Sequence, residues 1–218
     1  MTAEQKEKLY KITLVRIALA VRRFLRKTLW QLRGYWRLAK FRRRKEEIWL
    51  EVGSGPRRGV GNWVTIDING QCDIYFNLAK GIPFPDMSIS RIYSSHVFEH
   101  LSSEQAQYCL SECVRVLKEG GEFSIAVPNA RIFVDAYLSN ELKEKSFEVN
   151  TPIDYLNYVA YCGGQHKNMF DQESLCYLLQ SNGLEQVSAR TFDPEIDLEC
   201  RRWQTIYARG IKRTAKPA

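Results

Sequence analysis

Short apolar runs alternate with stretches of helical periodicity from residue 47 to near the end of this 218-residue chain. Such alternation is typical of an α/β domain built on a largely parallel sheet with helices on both faces. Seven strands are predicted, at Ile48–Val52, Trp63–Asp67, Asp73–Asn77, Arg91–Ser95, Glu122–Val127 and near residues 186–192 and 203–209.

Periodicity and capping residues predict three helices between and after these strands. Ser102 or Ser103 caps the first, which runs to Lys118 and is stopped by the Gly120-Gly121 pair. The second spans Ala130–Leu142, and the third runs from the cap Asp171 to Ser181. Residues 146–168 are predicted to be rich in loops. Together these elements define a domain over residues 47–210, with residues 211–218 as a basic tail.

The first 45 residues have a different composition from the rest of the chain. They hold 15 Lys/Arg against two Glu, a net charge of +13, whereas the other 173 residues hold 17 Lys/Arg and 23 Asp/Glu, a net charge of −6. Residues 1–46 are therefore predicted to be a basic amphipathic extension of one or two helices, with Gly34 as a break or kink. Its apolar residues recur every three or four positions at Leu14, Ile17, Val21, Leu25, Leu29, Leu32, Trp36 and Ala39.

Three roles for this extension stay open. It can pack on its own domain or on a second subunit, lie on an anionic membrane, or bind nucleic acid. No stretch reaches the roughly 20 apolar residues of a membrane span, and a signal-peptide cleavage site is lacking. We therefore expect a cytoplasmic protein, which would be peripheral to the inner face of the membrane if the extension binds lipid. Nucleic acid is the weaker alternative because the remaining domain is acidic.

The cysteine and histidine patterns do not predict a metal site. The six cysteines form no CxxC pair and are expected to be reduced thiols, as in a cytosolic protein. The three histidines are not spaced as ligands of a structural zinc ion.

Four of the predicted strands end in residues that suit a ligand site. Parallel sheets bind ligands beyond the carboxyl ends of their strands. Gly53 and Gly55 allow close approach of the backbone and leave amide groups free to donate. Asp67 can accept both hydroxyls of a ribose, Asn77-Leu78 would lie at a nucleobase edge, and residues 94–96 end the fourth strand nearest a reacting centre.

The order of these segments resembles the class I S-adenosylmethionine-dependent methyltransferases, in particular the bacterial type 11 group. The resemblance covers about residues 48–209 and implies a Rossmann-like sheet. It rests on Leu50–Gly55, Ile66-Asp67, Ile82–Asp86, Tyr93–His100, Arg115–Gly121 and Gly164–Asp171.

The resemblance also implies roles for individual residues. S-adenosylmethionine is the expected cofactor. Ser95 and His96 match positions beside the transferable methyl group. Asp67 matches the residue that holds the ribose, and Asn77 and Leu78 match the pair flanking the adenine, where Asp-Leu is more usual. The motif that holds the methionine part of the cofactor is matched by Glu51, Gly53, Ser54 and Gly55.

One departure from most members of the group is a short connection between the first two strands. Only seven residues separate Gly55 from Trp63, too few for the usual crossover helix. The chain is similar to a short-loop branch of the group that is often associated with surface-polysaccharide pathways. A glycan or glycolipid-like acceptor is therefore expected. A dinucleotide site is disfavoured because Arg58 replaces the third glycine of its fingerprint.

Transfer of a methyl group to a hydroxyl requires alignment and removal of one proton. His96 is the first candidate for the base because imidazole titrates near neutral pH. His166 is the second candidate, and Glu99 and His100 are expected to orient His96 or close the pocket. Two other functions remain open: an RNA methyltransferase that uses the basic arm, and a non-enzymatic binding protein on the same fold.

Overall fold

The computed structural model describes residues 3–43, 45–141 and 151–214. Within these residues, seven strands form one mixed sheet in the order β3-β2-β1-β4-β5-β7-β6. Neighbouring strands from β3 to β5 are parallel, and β7 is antiparallel to both β5 and β6. The strands are β1 (Trp49–Val52), β2 (Trp63–Asp67), β3 (Ile74–Tyr75), β4 (Ile89–Ser95), β5 (Leu117–Pro128), β6 (Leu184–Ala189) and β7 (Thr205–Lys212). The predicted α/β class with a Rossmann-like sheet is confirmed.

In the described part of the chain, five α-helices accompany the sheet: α1 (Ala3–Arg42), α2 (Ser103–Val116), α3 (Ala130–Ser139), α4 (Pro152–Tyr161) and α5 (Gln172–Ser181). Short 3-10 turns follow strands or helices at Leu78–Lys80, Phe98–His100, Cys162–Gly164 and Glu199–Gln204. The main core lies between the sheet and its helices, and it contains fully buried side chains such as Leu50, Ile66 and Phe123.

Several of the predicted boundaries are wrong. Helix α2 ends at Val116, and β5 begins at Leu117 and continues through Gly120-Gly121, because Leu117 is buried and pairs with Ile89 of β4. Strand β4 accordingly begins two residues earlier than predicted. The last two strands are shifted as well, β6 towards the N-terminus and β7 towards the C-terminus.

Helix α4 lies where the sequence predicts loops. It begins with a capping box between Thr151 and Asp154 and has Pro152 in its first turn, both of which favour a helix start. Residues 142–150 lie outside the described residues; they include residues 146–150, the first part of the predicted loop region, and Leu142, the predicted end of α3. The structure ends α3 at Ser139, where Asn140 adopts a left-handed conformation.

The predicted absence of a helix between the first two strands is confirmed. Residues 53–62 connect β1 to β2 without a helix, and the connection is held by the backbone bond from Gly53 N to Ile66 O at 2.9 Å. The turn after β1 therefore lies directly beside the end of β2.

Helix α1 is one continuous helix of 40 residues, about 60 Å long. Gly34 does not break it. This glycine is buried where the helix crosses β3, and an added Cβ would lie 3.1 Å from Tyr75 O. Trp30 stacks against Tyr75 with 5.6 Å between ring centroids, and Leu38 joins the main core. The last turns of α1 therefore pack on the edge of the sheet.

The apolar residues predicted as one face of α1 do not make this contact. Six of them have side chains that are between 47% and 81% exposed, and we call them the outward face: Leu14, Val21, Leu25, Leu29, Leu32 and Trp36. The helix packs instead through Trp30, Gly34 and Leu38, on the nearly opposite side. No helix in the described part of the chain is long and apolar enough to cross a membrane.

Candidate active site

The turn after β1 and the end of β2 form one wall of a cleft at the carboxyl edge of the sheet. The parallel pairing of β1 with β2 places Val52 opposite Ile66, so the residues that follow both strands meet. Gly55 N donates to Asp67 Oδ2 at 2.9 Å, and Asn69 N donates to Asp67 Oδ1 at 2.7 Å. Each carboxylate oxygen keeps a lone pair for a further donor.

Gly53 and Ser54 shape the floor of the turn. Gly53 has a φ of +75°, and an added Cβ would overlap the side chain of Val97. Only glycine adopts this conformation without strain or a clash. Ser54 is 4% exposed, and its Oγ has no hydrogen-bond partner among the described residues.

Glu51 is paired with a residue that the sequence analysis did not single out. Its carboxylate accepts a hydrogen bond from the guanidinium of Arg57, which also donates to Ser54 O at 3.3 Å. Burial raises the pKa of the Glu51 carboxyl above its ordinary value, Arg57 opposes this rise, and Asp67 adds to it. Arg57 therefore neutralises a carboxylate that burial would otherwise destabilise.

Asn77 and Leu78 lie at the end of the cleft that follows β3. Asn77 Oδ1 accepts a hydrogen bond from Ala79 N at 3.0 Å and caps the short turn Leu78–Lys80. The side-chain amide of Asn77 is left as a donor.

His96 follows β4 in a left-handed conformation, with a φ of +54°. Its Nδ1 lies 3.4 Å from Glu99 Oε1, and its Nε2 lies 3.0 Å from Thr205 Oγ1. Its side chain is 11% exposed. Strained conformations of this kind persist where the surrounding structure holds them, commonly at functional sites. The predicted placement of Glu99 as an orienting partner of His96 agrees with this geometry.

These elements enclose a cleft of about 790 Å³. Two of the predicted site residues, Glu51 and His166, do not line it among the described residues. Glu51 lies behind Arg57, and His166 packs against His100 with 4.9 Å between ring centroids. The predicted site residues that do line the cleft are Gly53, Ser54, Gly55, Asp67, Asn77, Leu78, Ser95 and His96.

The cleft also contains residues that sequence reasoning missed. Arg57, Lys167 and Arg201 bring positive charge to it, and Gln165 also lines it. Lys167 and Gln165 flank His166 in the sequence, so the segment around the predicted histidine was a usable signal. Arg201 precedes β7 and Thr205 begins it, and no local pattern places either residue beside β4.

Comparison with known proteins agrees with this architecture. Residues 62–125 match a family model described as a methyltransferase domain, of type 11. A probable S-adenosylmethionine-dependent methyltransferase of Mycolicibacterium smegmatis (strain ATCC 700084 / mc(2)155) is 46% identical over 57 residues, 26% of this chain and 21% of that protein.

Two solved structures share the fold. Phosphoethanolamine N-methyltransferase 2 of Haemonchus contortus, in complex with S-adenosyl-L-methionine, aligns over 83% of this chain and 53% of that chain, with a TM-score of 0.50 and 10% identity. The S-adenosylmethionine-dependent methyltransferase SibL, in its apo form, aligns over 80% of this chain and 52% of that chain, with a TM-score of 0.51 and 12% identity. The present chain therefore spans about half the length of these two structures and about a fifth of the mycobacterial relative.

Proposed function

We propose that the chain transfers a methyl group from S-adenosylmethionine to a hydroxyl of a glycan or glycolipid-like acceptor. The match of residues 62–125 to a type 11 methyltransferase domain supports this proposal. The observation that carries this proposal is the convergence of three groups on one cleft: the Gly53–Gly55 turn, the Asp67 carboxylate and the His96 imidazole.

The residues of the cleft fit this cofactor. Asp67 has a lone pair on each oxygen for the two ribose hydroxyls, and the unpartnered Oγ of Ser54 offers a further polar contact. An ideal Cβ on Gly55 would have no protein atom within 4 Å, so the space above the turn is open to a ligand. When bound, S-adenosylmethionine supplies an electrophilic methyl group on a sulfonium.

Arg57 and Glu51 suit the methionine end of the cofactor. That end carries an ammonium and a carboxylate, and the hydrogen-bonded pair of Glu51 and Arg57 carries the complementary charges. Arg57 lines the cleft and is 40% exposed, so its guanidinium can bond the cofactor's carboxylate while it stays paired with Glu51 behind it. Charge-assisted hydrogen bonds of this kind are stronger than neutral ones.

His96 and Glu99 suit removal of the acceptor's proton. In the tautomer whose Nδ1 donates to Glu99, His96 Nε2 has a lone pair. The Thr205 hydroxyl beside that nitrogen has an alternative acceptor in Arg201 O at 2.6 Å. An acceptor hydroxyl can therefore take the place of Thr205 at Nε2 and give up its proton to the ring. The Glu99 carboxylate then stabilises the imidazolium.

The charge of the cleft favours an acceptor that carries negative charge. Lys167 and Arg201 line the cleft in addition to Arg57, which is already neutralised by Glu51. An acidic sugar or a phosphate-linked glycan would complement these two cations. Hydroxyls are plentiful on both acceptors.

Transfer of a labelled methyl group tests this function. The purified chain is incubated with methyl-labelled S-adenosylmethionine and lysate fractions separated into lipid, glycan, RNA and small-molecule pools. We expect label in the glycan or lipid pool that survives base treatment, because alkyl ethers resist hydrolysis. Label confined to RNA would instead support the alternative of an RNA methyltransferase, and no label in any pool would support a binding protein.

Helix α1 supports a second part of the proposal, attachment to an anionic membrane surface. Its outward face points away from the domain, because Trp30, Gly34 and Leu38 hold the opposite side against the sheet. No Asp or Glu occurs from residue 8 to residue 45. Helical periodicity places Arg22, Arg26, Arg33 and Lys40 along one border of the outward face. Apolar side chains bordered by cations are what an anionic lipid surface binds.

A lipid surface fits this helix better than a second copy or a nucleic acid does. Two copies pairing through the outward face would bring cations together, and neither helix has an acidic residue after Glu7 to offset them. Nucleic acid would pair with the cations but leave exposed apolar side chains such as Trp36, which is 81% exposed, in water. The cytoplasmic leaflet of a membrane is anionic, and we place the protein there.

Sedimentation with vesicles tests this attachment. We expect Trp36→Glu to weaken binding to vesicles that contain phosphatidylserine by at least about 10-fold, since one buried large apolar side chain contributes roughly 1.5–3 kcal/mol. The matched control is Tyr177→Glu on α5, where an aromatic side chain that is 70% exposed lies far along the chain from α1. Equal binding by wild type and Trp36→Glu, or stronger binding to RNA than to vesicles, would contradict the attachment.

A further inference from the structure

Three potential metal ligands meet beside the cleft. One donor atom each from Glu99, His100 and His166 lies within 4.8 Å of the other two. Glu99 and His100 belong to the turn after β4, and His166 follows the turn after α4. The two segments are already joined through the backbone, because Lys167 N and Asn168 N donate to Glu99 O at 2.7 and 3.2 Å.

Backbone carbonyls orient both imidazoles. His100 Nδ1 lies 3.2 Å from Gln165 O, and His166 Nδ1 lies 2.7 Å from Val159 O. A carbonyl oxygen only accepts, so each Nδ1 carries a hydrogen, and each neutral ring keeps its lone pair on Nε2. Metal-binding histidines are commonly held in this way, with the second ring nitrogen bonded to a carbonyl or carboxylate.

Glu99 adds a buried carboxylate to the two lone pairs. Its side chain is 2% exposed, and Oε1 lies 3.4 Å from His96 Nδ1 and 3.8 Å from His100 Nε2. The other oxygen, Oε2, is buried and has no hydrogen-bond partner among the described residues. A buried carboxylate oxygen beside two nitrogen lone pairs is an arrangement of acceptors without a donor, and a cation would satisfy all three.

We propose that Glu99, His100 and His166 bind a divalent transition-metal ion of the Zn²⁺ class. Two imidazoles with one carboxylate suit zinc or a neighbouring transition metal, whereas Mg²⁺ and Ca²⁺ prefer oxygen ligands. Zinc bonds of about 2.1 Å hold tetrahedral ligands about 3.4 Å apart. Binding therefore draws the three donor atoms inward, which the 38% exposed side chain of His100 permits.

The proposed site has an open coordination position. Three protein ligands leave a fourth place for water or substrate, as in catalytic zinc sites. His100 lines the cleft, so this position is close to bound ligands. If the proposed methyl transfer is correct, an oxygen atom of the acceptor can occupy it; metal binding itself does not depend on that function.

Titration with Co²⁺ tests the site without cofactor or acceptor. The purified full chain is titrated with Co²⁺ while its visible d–d absorption is recorded, and Zn²⁺ is then added in competition. We expect saturation at one Co²⁺ per chain and loss of the absorption when Zn²⁺ is added. Loss of an outer-shell partner alone weakens metal binding by 10–100-fold, so His166→Ala should weaken it by at least about 100-fold.

Two further variants keep the test decisive. His100→Ala removes a ligand with a partly exposed side chain, so folding, checked by circular dichroism, should be preserved while metal affinity falls equally. Glu173→Gln, which neutralises an exposed carboxylate on α5, should leave metal affinity unchanged. Absence of d–d absorption in the wild type would overturn the proposal. A thiolate-to-cobalt band, or unchanged affinity in both histidine variants, would also overturn it by locating the metal elsewhere.

Discussion

Replacing Gly53 by alanine is expected to abolish S-adenosylmethionine binding and to lower the free energy of unfolding by about 2–5 kcal/mol. The φ of +75° at Gly53 disfavours any residue with a Cβ by about 1–2 kcal/mol. The added methyl group would also overlap Val97, and overpacking of this kind costs about 1–3 kcal/mol. Val97 lines the cleft, so relief of the clash must deform the binding site.

Two other glycines provide matched controls for this substitution. Gly61 has a φ of +63° and Gly55 a φ of +64°, and an added Cβ on either would have no protein atom within 4 Å. We expect Gly61→Ala to lower stability by about 1–2 kcal/mol and to bind the cofactor normally. Gly55→Ala should show a similar loss of stability but weakened binding, because its methyl group would enter the space assigned to the cofactor.

Urea unfolding and calorimetric titration measure these differences directly. We expect cofactor affinity to fall in the order Gly61→Ala, Gly55→Ala, Gly53→Ala, and stability to fall most in Gly53→Ala. Wild-type affinity in Gly53→Ala would show that the turn is not part of the cofactor site.

Replacing His96 by asparagine is expected to lower the rate of methyl transfer by about 10²–10⁴-fold, the usual contribution of a general base. Asparagine tolerates the left-handed conformation that His96 adopts at a φ of +54°, so the backbone strain should change little. It cannot accept the proton that His96 Nε2 would take from the acceptor. Cofactor affinity should stay within about 2-fold of wild type, because the role proposed for His96 is towards the acceptor rather than the ribose or adenine.

The rate is measured with labelled cofactor and the pool that accepts label, at saturating cofactor. Glu99→Gln, which keeps the shape of the side chain and removes its charge, should lower the rate by a smaller factor with the same pattern of preserved cofactor affinity. A histidine that serves only the fold would instead lower stability and cofactor affinity together. Wild-type turnover in His96→Asn would remove this residue from the mechanism.

The parallel strands and the position of the site follow from local sequence features. Apolar runs that end in Gly53, Asp67 and Ser95 predict three buried strands, and parallel strands bring their carboxyl ends to one edge. Gly55 and Asp67 are 12 residues apart in the sequence, and Gly55 N donates a hydrogen bond to Asp67 Oδ2. This part of the cleft was predictable because it depends on neighbouring strands of a parallel sheet.

The rest of the cleft depends on contacts between residues far apart in the chain. Thr205 lies 109 residues from His96, and it reaches the cleft because β7 returns antiparallel beside β5. Arg57 is close in sequence to Glu51, but the pairing follows from the irregular loop that replaces the crossover helix. No periodicity or spacing in the sequence predicts either contact.

Helix α1 shows a different limit of sequence patterns. Its periodicity identified the outward face correctly as apolar, but periodicity does not reveal what an apolar face contacts. The domain is bound by the other side, where Gly34 permits close approach to Tyr75 and Trp30 stacks on the same residue. Predicting that contact requires the position of the sheet edge, which the sequence of the helix does not contain.

Calorimetric titration of the wild-type chain with S-adenosylmethionine tests the central claim most directly, because cofactor binding at the turn after β1 underlies every step of the proposed reaction. We expect saturable heat with one site per chain, retained in His96→Asn and lost in Gly53→Ala. Absence of saturable heat in the folded wild-type protein, or heat of the same size in Gly53→Ala, would contradict it.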